Sequence, residues 1–182
     1  MRKTFGLILA LVMIFAVAGC NNNNVSKMDV DTPVTADQVN TASDFVVRGF
    51  LESVFTNNRD LFVKCFPESL IEETEKAGID LFAQYTEALE DDGKFVGTQY
   101  LNYNELSIDG GYSDAESYRA DIAKLVGTTP DEIKSMHIDH IKVYFEVEGT
   151  NRYSEIYAIA YEYSGAWYMY ELQNSESDFG KK

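Results

Sequence analysis

The chain has 182 residues and carries 30 Asp and Glu against 15 Lys and Arg, a formal net charge of −15. A length of this order suits one domain built on a single core. The acidity argues against a nucleic-acid surface, which needs clustered Lys and Arg, and two cysteines exclude a disulfide-rich scaffold and a four-cysteine zinc site.

Arg2 and Lys3 form a short positive stretch ahead of the uncharged apolar run Phe5 to Ala18, which ends in small residues. That is the layout of a secretory signal peptide. The run is well short of the roughly 20 residues that a membrane span requires, and polar Asn21 to Asn24 follow directly. The cleavage region Val17-Ala18-Gly19-Cys20 resembles the lipobox of bacterial surface lipoproteins. The resemblance implies removal of residues 1–19 and a diacylglycerol on the Cys20 sulfur, placing the chain at the outer face of the membrane. Ordinary cleavage after Ala16-Val17-Ala18 is the alternative, and it would leave a soluble secreted protein. Two acyl chains would contribute on the order of 20 kcal/mol, a firm anchor without a spanning helix. Residues 20–35 are polar, with an Asn run and Pro33, and read as a lipidated Cys20 on a flexible tether of roughly 20 Å mean reach. Cys65 is the other thiol, and its neighbours Phe62, Val63 and Phe66 make it a buried apolar residue in place of a nucleophile.

The folded part is expected over 36–173. A capping box at Thr35-Ala36-Asp37-Gln38 precedes Val39, Ala42, Val46, Gly49, Phe50 and Val54 at helical spacing, which predicts one amphipathic helix over 36–56. Asn57-Asn58 ends it, and Leu61, Phe62, Cys65 and Phe66 predict a short second helix that stops before Pro67. A third helix starts at Pro67, breaks or kinks at Gly78, and continues through Phe82 and Tyr85 to the acidic run Glu90-Asp91-Asp92. Residues 95–108 carry strand-like aromatics with blurred alternation. A second capping box, Ser113-Asp114-Ala115-Glu116, opens a helix over 113–126 that Gly127 stops. Thr129-Pro130-Asp131-Glu132 then predicts a further short helix over 130–136. Clear alternation in Ile141, Val143, Phe145 and Val147, with strands over 153–163 and 166–172 and short turns between, predicts an antiparallel meander. Residues 174–182 form a polar tail.

Helices first and strands last imply an α+β fold, with N-terminal helices packed on a curved antiparallel sheet that ends in a three-stranded meander. The helix pair in FLESVFTNNRDLFVKCFPESL and the Trp-bearing final strand in SGAWYMYELQ look like the NTF2-like and cystatin-like domains of small Gram-positive lipoproteins. That resemblance implies a cone-shaped pocket between helices and sheet, in relatives some of which are enzymes and others binding or assembly domains. The helix over 113–126 departs from the minimal pattern.

His137 and Asp139 share one strand face and could form an acid–base pair, whereas His140 points to the other face. A helix-to-strand junction, where exposed polar residues are common, explains the same residues without catalysis. No zinc set and no EF-hand spacing is present, so no metal or cofactor is expected. The tyrosines are skewed: all 12 lie after residue 84. Tyr157, Tyr161, Trp167, Tyr168 and Tyr170 are candidates for an aromatic platform, against ordinary cross-strand packing. The expected function is a membrane-anchored extracytoplasmic lipoprotein that binds a cell-envelope glycan, peptide or protein. Docking through the Tyr-rich sheet as an assembly subunit, and a pocket enzyme using His137 and Asp139, are the alternatives.

Overall fold

A computed structural model describes residues 30–89 and 93–173. The export segment, Cys20, the tether before Val30, the acidic run 90–92 and the tail 174–182 lie outside the described residues. No described helix is long and apolar enough to cross a membrane.

Among the described residues four α-helices precede the sheet: α1 (Ser43–Phe55), α2 (Arg59–Phe62), α3 (Glu68–Lys76) and α4 (Leu81–Ala88). The first begins later than its periodicity predicts. Half of the expected capping box forms, with the Thr35 N–H donating to Gln38 Oε1 at 2.9 Å, but it closes a turn instead of a helix. Asn40 then adopts φ 71°, a left-handed conformation through which a right-handed helix cannot run. From Ser43 onward the stripe is as read, with Val46, Val47, Phe50, Leu51 and Val54 buried. The Phe50 ring lies at the centre of an aromatic cluster, 5.6 Å from Phe62, 5.9 Å from Phe66 and 4.9 Å from Tyr85. Asn58 caps α2 by accepting from the Leu61 N–H, and Asp80 caps α4 by accepting from the Ala83 N–H. Gly78, at φ +75°, makes the break between α3 and α4.

The sheet has four antiparallel strands in the order β1 (Lys94–Glu105), β2 (Ile133–Val147), β3 (Thr150–Tyr163) and β4 (Ala166–Gln173). The expected α+β arrangement and closing meander are therefore present. Two bulges in β1, between Phe95 and Gly97 and between Tyr100 and Asn102, account for its blurred alternation. Each inserts one residue and flips the parity of all that follow. The helix α5 (Ala115–Leu125) lies between β1 and β2, as predicted, and ends before Gly127. The N-cap of α5 is Asp114 and not Ser113, its side chain makes no cap hydrogen bond, and the Ser113 hydroxyl donates to Asp114 Oδ1. The helix expected over 130–136 is one 3₁₀ turn, Pro130–Glu132, after which β2 begins at Ile133. Ile133, Met136 and Ile138 are buried, so burial of β-compatible side chains outweighs the helix-start signal.

The sheet is covered on both sides. On one face Ile141, Val143, Phe145, Ile156, Ala158, Ala160 and Met169 pack against α1–α4. On the other, α5 and its approach cover one end, where Ile122 and Tyr112 join Ile138, Ile159, Tyr161 and Tyr170. Helix α5 is thus the lid of the tyrosine face. The space between α1 and the sheet is occupied by Phe50 and its ring neighbours. A small dimple lies elsewhere, between α2, α3 and α4, lined by Phe62, Ile71, Thr74 and Phe82, with room for about one water.

Residues 30–35, expected within the tether, run along β1 as a strap. The Asp31 N–H donates to Thr98 O at 3.0 Å and Asp31 Oδ2 accepts from the Tyr100 N–H at 3.1 Å. Arg48, itself buried, donates to Thr32 O at 2.7 Å and to Thr98 Oγ1 at 3.2 Å. Val34 is buried as well. Gly97 is required here, because a Cβ at that position would collide with Val30 Cγ1.

A polar cluster under an aromatic row

Ser43 is the first residue of α1, and its hydroxyl reaches two side chains of β2. Ser43 Oγ lies 2.9 Å from His137 Nδ1 and 3.0 Å from Asp139 Oδ1. The two β2 residues share a strand face, as their spacing predicts, but they meet through the serine and not directly. They also sit inside β2, because the helix-to-strand junction falls earlier than expected, at Glu132–Ile133. Ser43 is 5 % exposed and Asp139 is 0 % exposed. Asp139 Oδ2 has no hydrogen-bond partner among the described residues.

Burial dominates the electrostatics of the cluster. It pushes the Asp139 carboxyl up to about 7, with the nearby Asp44 charge adding to the rise and the Ser43 bond opposing it. Burial likewise holds the His137 imidazole down at about 4. Tyr100, on β1, is pushed up by burial first and then by the charges of Asp139 and Asp44. Near neutral pH the cluster therefore contains a neutral imidazole and a carboxyl close to its midpoint.

The His137 ring is held between two aromatic side chains. Tyr103 of β1 stacks on it at 4.1 Å with an interplanar angle of 16°, and Trp167 of β4 lies at 4.4 Å, tilted by 42°. Strand β3 separates β2 from β4, and it presents Ala160 opposite His137 and Ala158 opposite Asp139. These small side chains leave the space through which the indole crosses β3. The backbone N–H of Trp167 donates to the Asn40 carbonyl oxygen at 3.4 Å, which joins β4 to the turn ahead of α1. Tyr103 is 52 % exposed, so one end of the row faces water.

Chemically this is not a nucleophile assembly. A hydrolytic triad places the imidazole between serine and carboxylate, so that it takes the hydroxyl proton while the carboxylate orients it. Here the hydroxyl occupies the middle position and is buried. The arrangement can share protons along one line and can present aromatic rings at one end. No group of three or more metal-binding side chains occurs among the described residues.

The five aromatic candidates divide between the two faces. Trp167 belongs to the row on the α1 side. Tyr161 and Tyr170 are buried under α5, and Tyr168 packs 5.8 Å from Tyr161. Tyr157 stacks on His140 at 4.2 Å, and His140 Nε2 lies 2.9 Å from Glu155 Oε2. Ser43 and Tyr103 were not singled out by the sequence. Ser43 lies 94 residues from His137, so no spacing rule connects them. Comparison with known proteins finds no matching protein family, no matching characterised protein and no matching solved structure.

Proposed function

We propose that this chain is a lipid-anchored extracytoplasmic binding protein that recognises a cell-envelope glycan through the row Tyr103–His137–Trp167. The observation that carries the reading is the half-exposed Tyr103 ring stacked on His137, in line with Trp167. Sugars present an apolar face that packs on aromatic rings, and rings fixed on strands lose little entropy on binding. The lipobox at Val17-Ala18-Gly19-Cys20 supports the placement. The strap is docked from Val30 onward, so the tether expected from the sequence shortens to 20–29, for which a flexible chain would have a mean reach of roughly 17 Å. That keeps the row close to the envelope polymers at the membrane surface. The helix-before-sheet order is in keeping with the NTF2-like and cystatin-like resemblance.

Trp167 is the single tryptophan of the chain and so reports on the row directly. Titration with soluble cell-wall glycan fragments is expected to give a saturable change in its fluorescence, weakened about tenfold by Tyr103→Ala. Absence of any change, or an unaltered affinity in Tyr103→Ala, would refute the assignment. Cys20→Ala is expected to move the chain from the membrane fraction to the soluble one. Retention in the membrane would refute the anchor.

A further inference from the structure

We propose that Ser43 couples Asp139 to His137 so that one proton gained or lost at Asp139 reverses both hydrogen bonds and switches His137 between its two neutral tautomers. The effect is to change the outer ring nitrogen, Nε2, from acceptor to donor beside the aromatic row.

The geometry leaves few arrangements. Ser43 has a single hydroxyl hydrogen and two partners at 2.9 and 3.0 Å, so it donates to one and accepts from the other. With Asp139 ionised, Oδ1 can only accept. The hydroxyl then donates to Oδ1 and must accept from His137 Nδ1–H, which leaves a lone pair on Nε2. With Asp139 protonated at Oδ1, the carboxyl donates to Ser43 Oγ. The serine hydrogen turns to Nδ1, which must now be bare, and the imidazole hydrogen resides on Nε2. The proton count closes. One proton enters from water, the ring exchanges its hydrogen from Nδ1 to Nε2 and stays neutral, and the cluster gains one hydrogen in all.

Two further observations favour this over a charged imidazole. The ring is confined between Tyr103 and Trp167 and is half-buried, which disfavours its charge. Asp139 Oδ2 is buried with no partner among the described residues, so protonation removes an unsolvated charge. The groups facing the carboxyl are accounted for on each element packed around it: Asp44 on α1, Tyr100 and Tyr103 on β1, and His137 on β2. From β3 come only the neutral Ala158 and Ala160, and from β4 the Trp167 indole. No hydrogen bond from a described residue engages Nε2, which is thus the atom free to present the altered polarity to a ligand.

The switch belongs to the folded chain and needs no ligand, so its test is separate from glycan binding. Full-length protein in detergent, labelled with ¹⁵N-histidine, is observed by NMR at about pH 8.5 and about pH 5.5. Wild-type His137 is expected as the Nδ1–H tautomer at the higher pH and the Nε2–H tautomer at the lower. His140 is the other of the two histidines and serves as the internal reference. Ser43→Ala is expected to abolish the change, and Asp139→Asn to hold one tautomer at both values. The proposal is overturned if wild-type His137 keeps one tautomer throughout, if it becomes imidazolium at about pH 5.5, or if either variant switches as wild type does.

Discussion

Asp139→Asn separates the two ionisations of the buried cluster, and its consequence for stability can be worked through with signs. The Asp139 carboxyl is raised from 3.8 to about 7 in the folded chain. An acid raised in this way contributes its full stability below about pH 4 and loses it as pH rises through 7, because only the unfolded chain ionises freely between those values. At full extent the displacement corresponds to about 4 kcal/mol. His137 runs in the opposite sense. Depressed from 6.5 to about 4, it keeps its contribution above pH 6.5 and loses it as pH falls towards 4. Between about pH 4 and pH 6.5 the two nearly cancel. The unfolded chain carries one proton on His137, the folded chain carries one on Asp139, and folding moves the proton without changing the number bound. The wild-type contribution of this cluster is therefore flat across that window. Asparagine leaves the contribution of His137 unchanged. It also buries an amide donor without a partner, at a cost of about 1–3 kcal/mol that does not vary with pH. The reliable readout is consequently the pH dependence of the difference between variant and wild type. Urea denaturation followed by Trp167 fluorescence is expected to show that difference moving in favour of the variant by about 3 kcal/mol between about pH 5 and about pH 8. The variant itself is expected to lose stability on acidification below pH 6.5, by about 1 kcal/mol per pH unit. A difference that stays constant with pH would refute the reasoning.

Gly97→Ala places a methyl group against Val30 and is expected to displace the strap; limited proteolysis should then cut within 30–35 far faster than in wild type, with the helices and sheet protected in both. Ala160→Leu fills the gap through which the indole reaches His137; a cost of about 1–3 kcal/mol is expected, together with a red shift of Trp167 emission as the ring is pushed toward water, and an unchanged spectrum would contradict the crossing geometry. Cys65 is fully buried and burial pushes its thiol well above the ordinary range; it is expected to react with a thiol reagent only as fast as the fold opens, so a rate insensitive to added denaturant would contradict its placement.

Several elements were legible in the sequence because their signals are local. The apolar stripe from Val46 to Val54, the helix end at Asn57-Asn58, the break at Gly78 and the alternation around Ile141 to Val147 each depend on residues a few positions apart. Where local signals conflicted with burial, burial won. Thr35 to Gln38 and Ser113 to Glu116 both carry capping-box residues, yet neither opens a helix through that box. The left-handed conformation of Asn40 and the side-chain pairing of Ser113 with Asp114 intervene. Pro130 and its acidic followers imply a helix of several residues, but Ile133, Met136 and Ile138 gain more by joining the sheet under α5.

The site was legible in fragments. His137 and Asp139 on one face follow from strand parity, and Trp167 stood among the aromatic candidates. Their union does not, because it depends on Ser43 arriving from the start of α1 and on two alanines of β3 letting the indole cross. The crowd of tyrosines pointed to an open platform, whereas α5 covers Tyr161 and Tyr170. The amino-acid order alone determined the helices-then-meander architecture and which faces of the strands are apolar, since both are periodic properties of neighbouring residues. Tertiary structure alone decided that a strap closes the β1 edge and that a serine stands between an imidazole and a carboxyl. Those contacts join residues dozens of positions apart, and packing density, not periodicity, selects them.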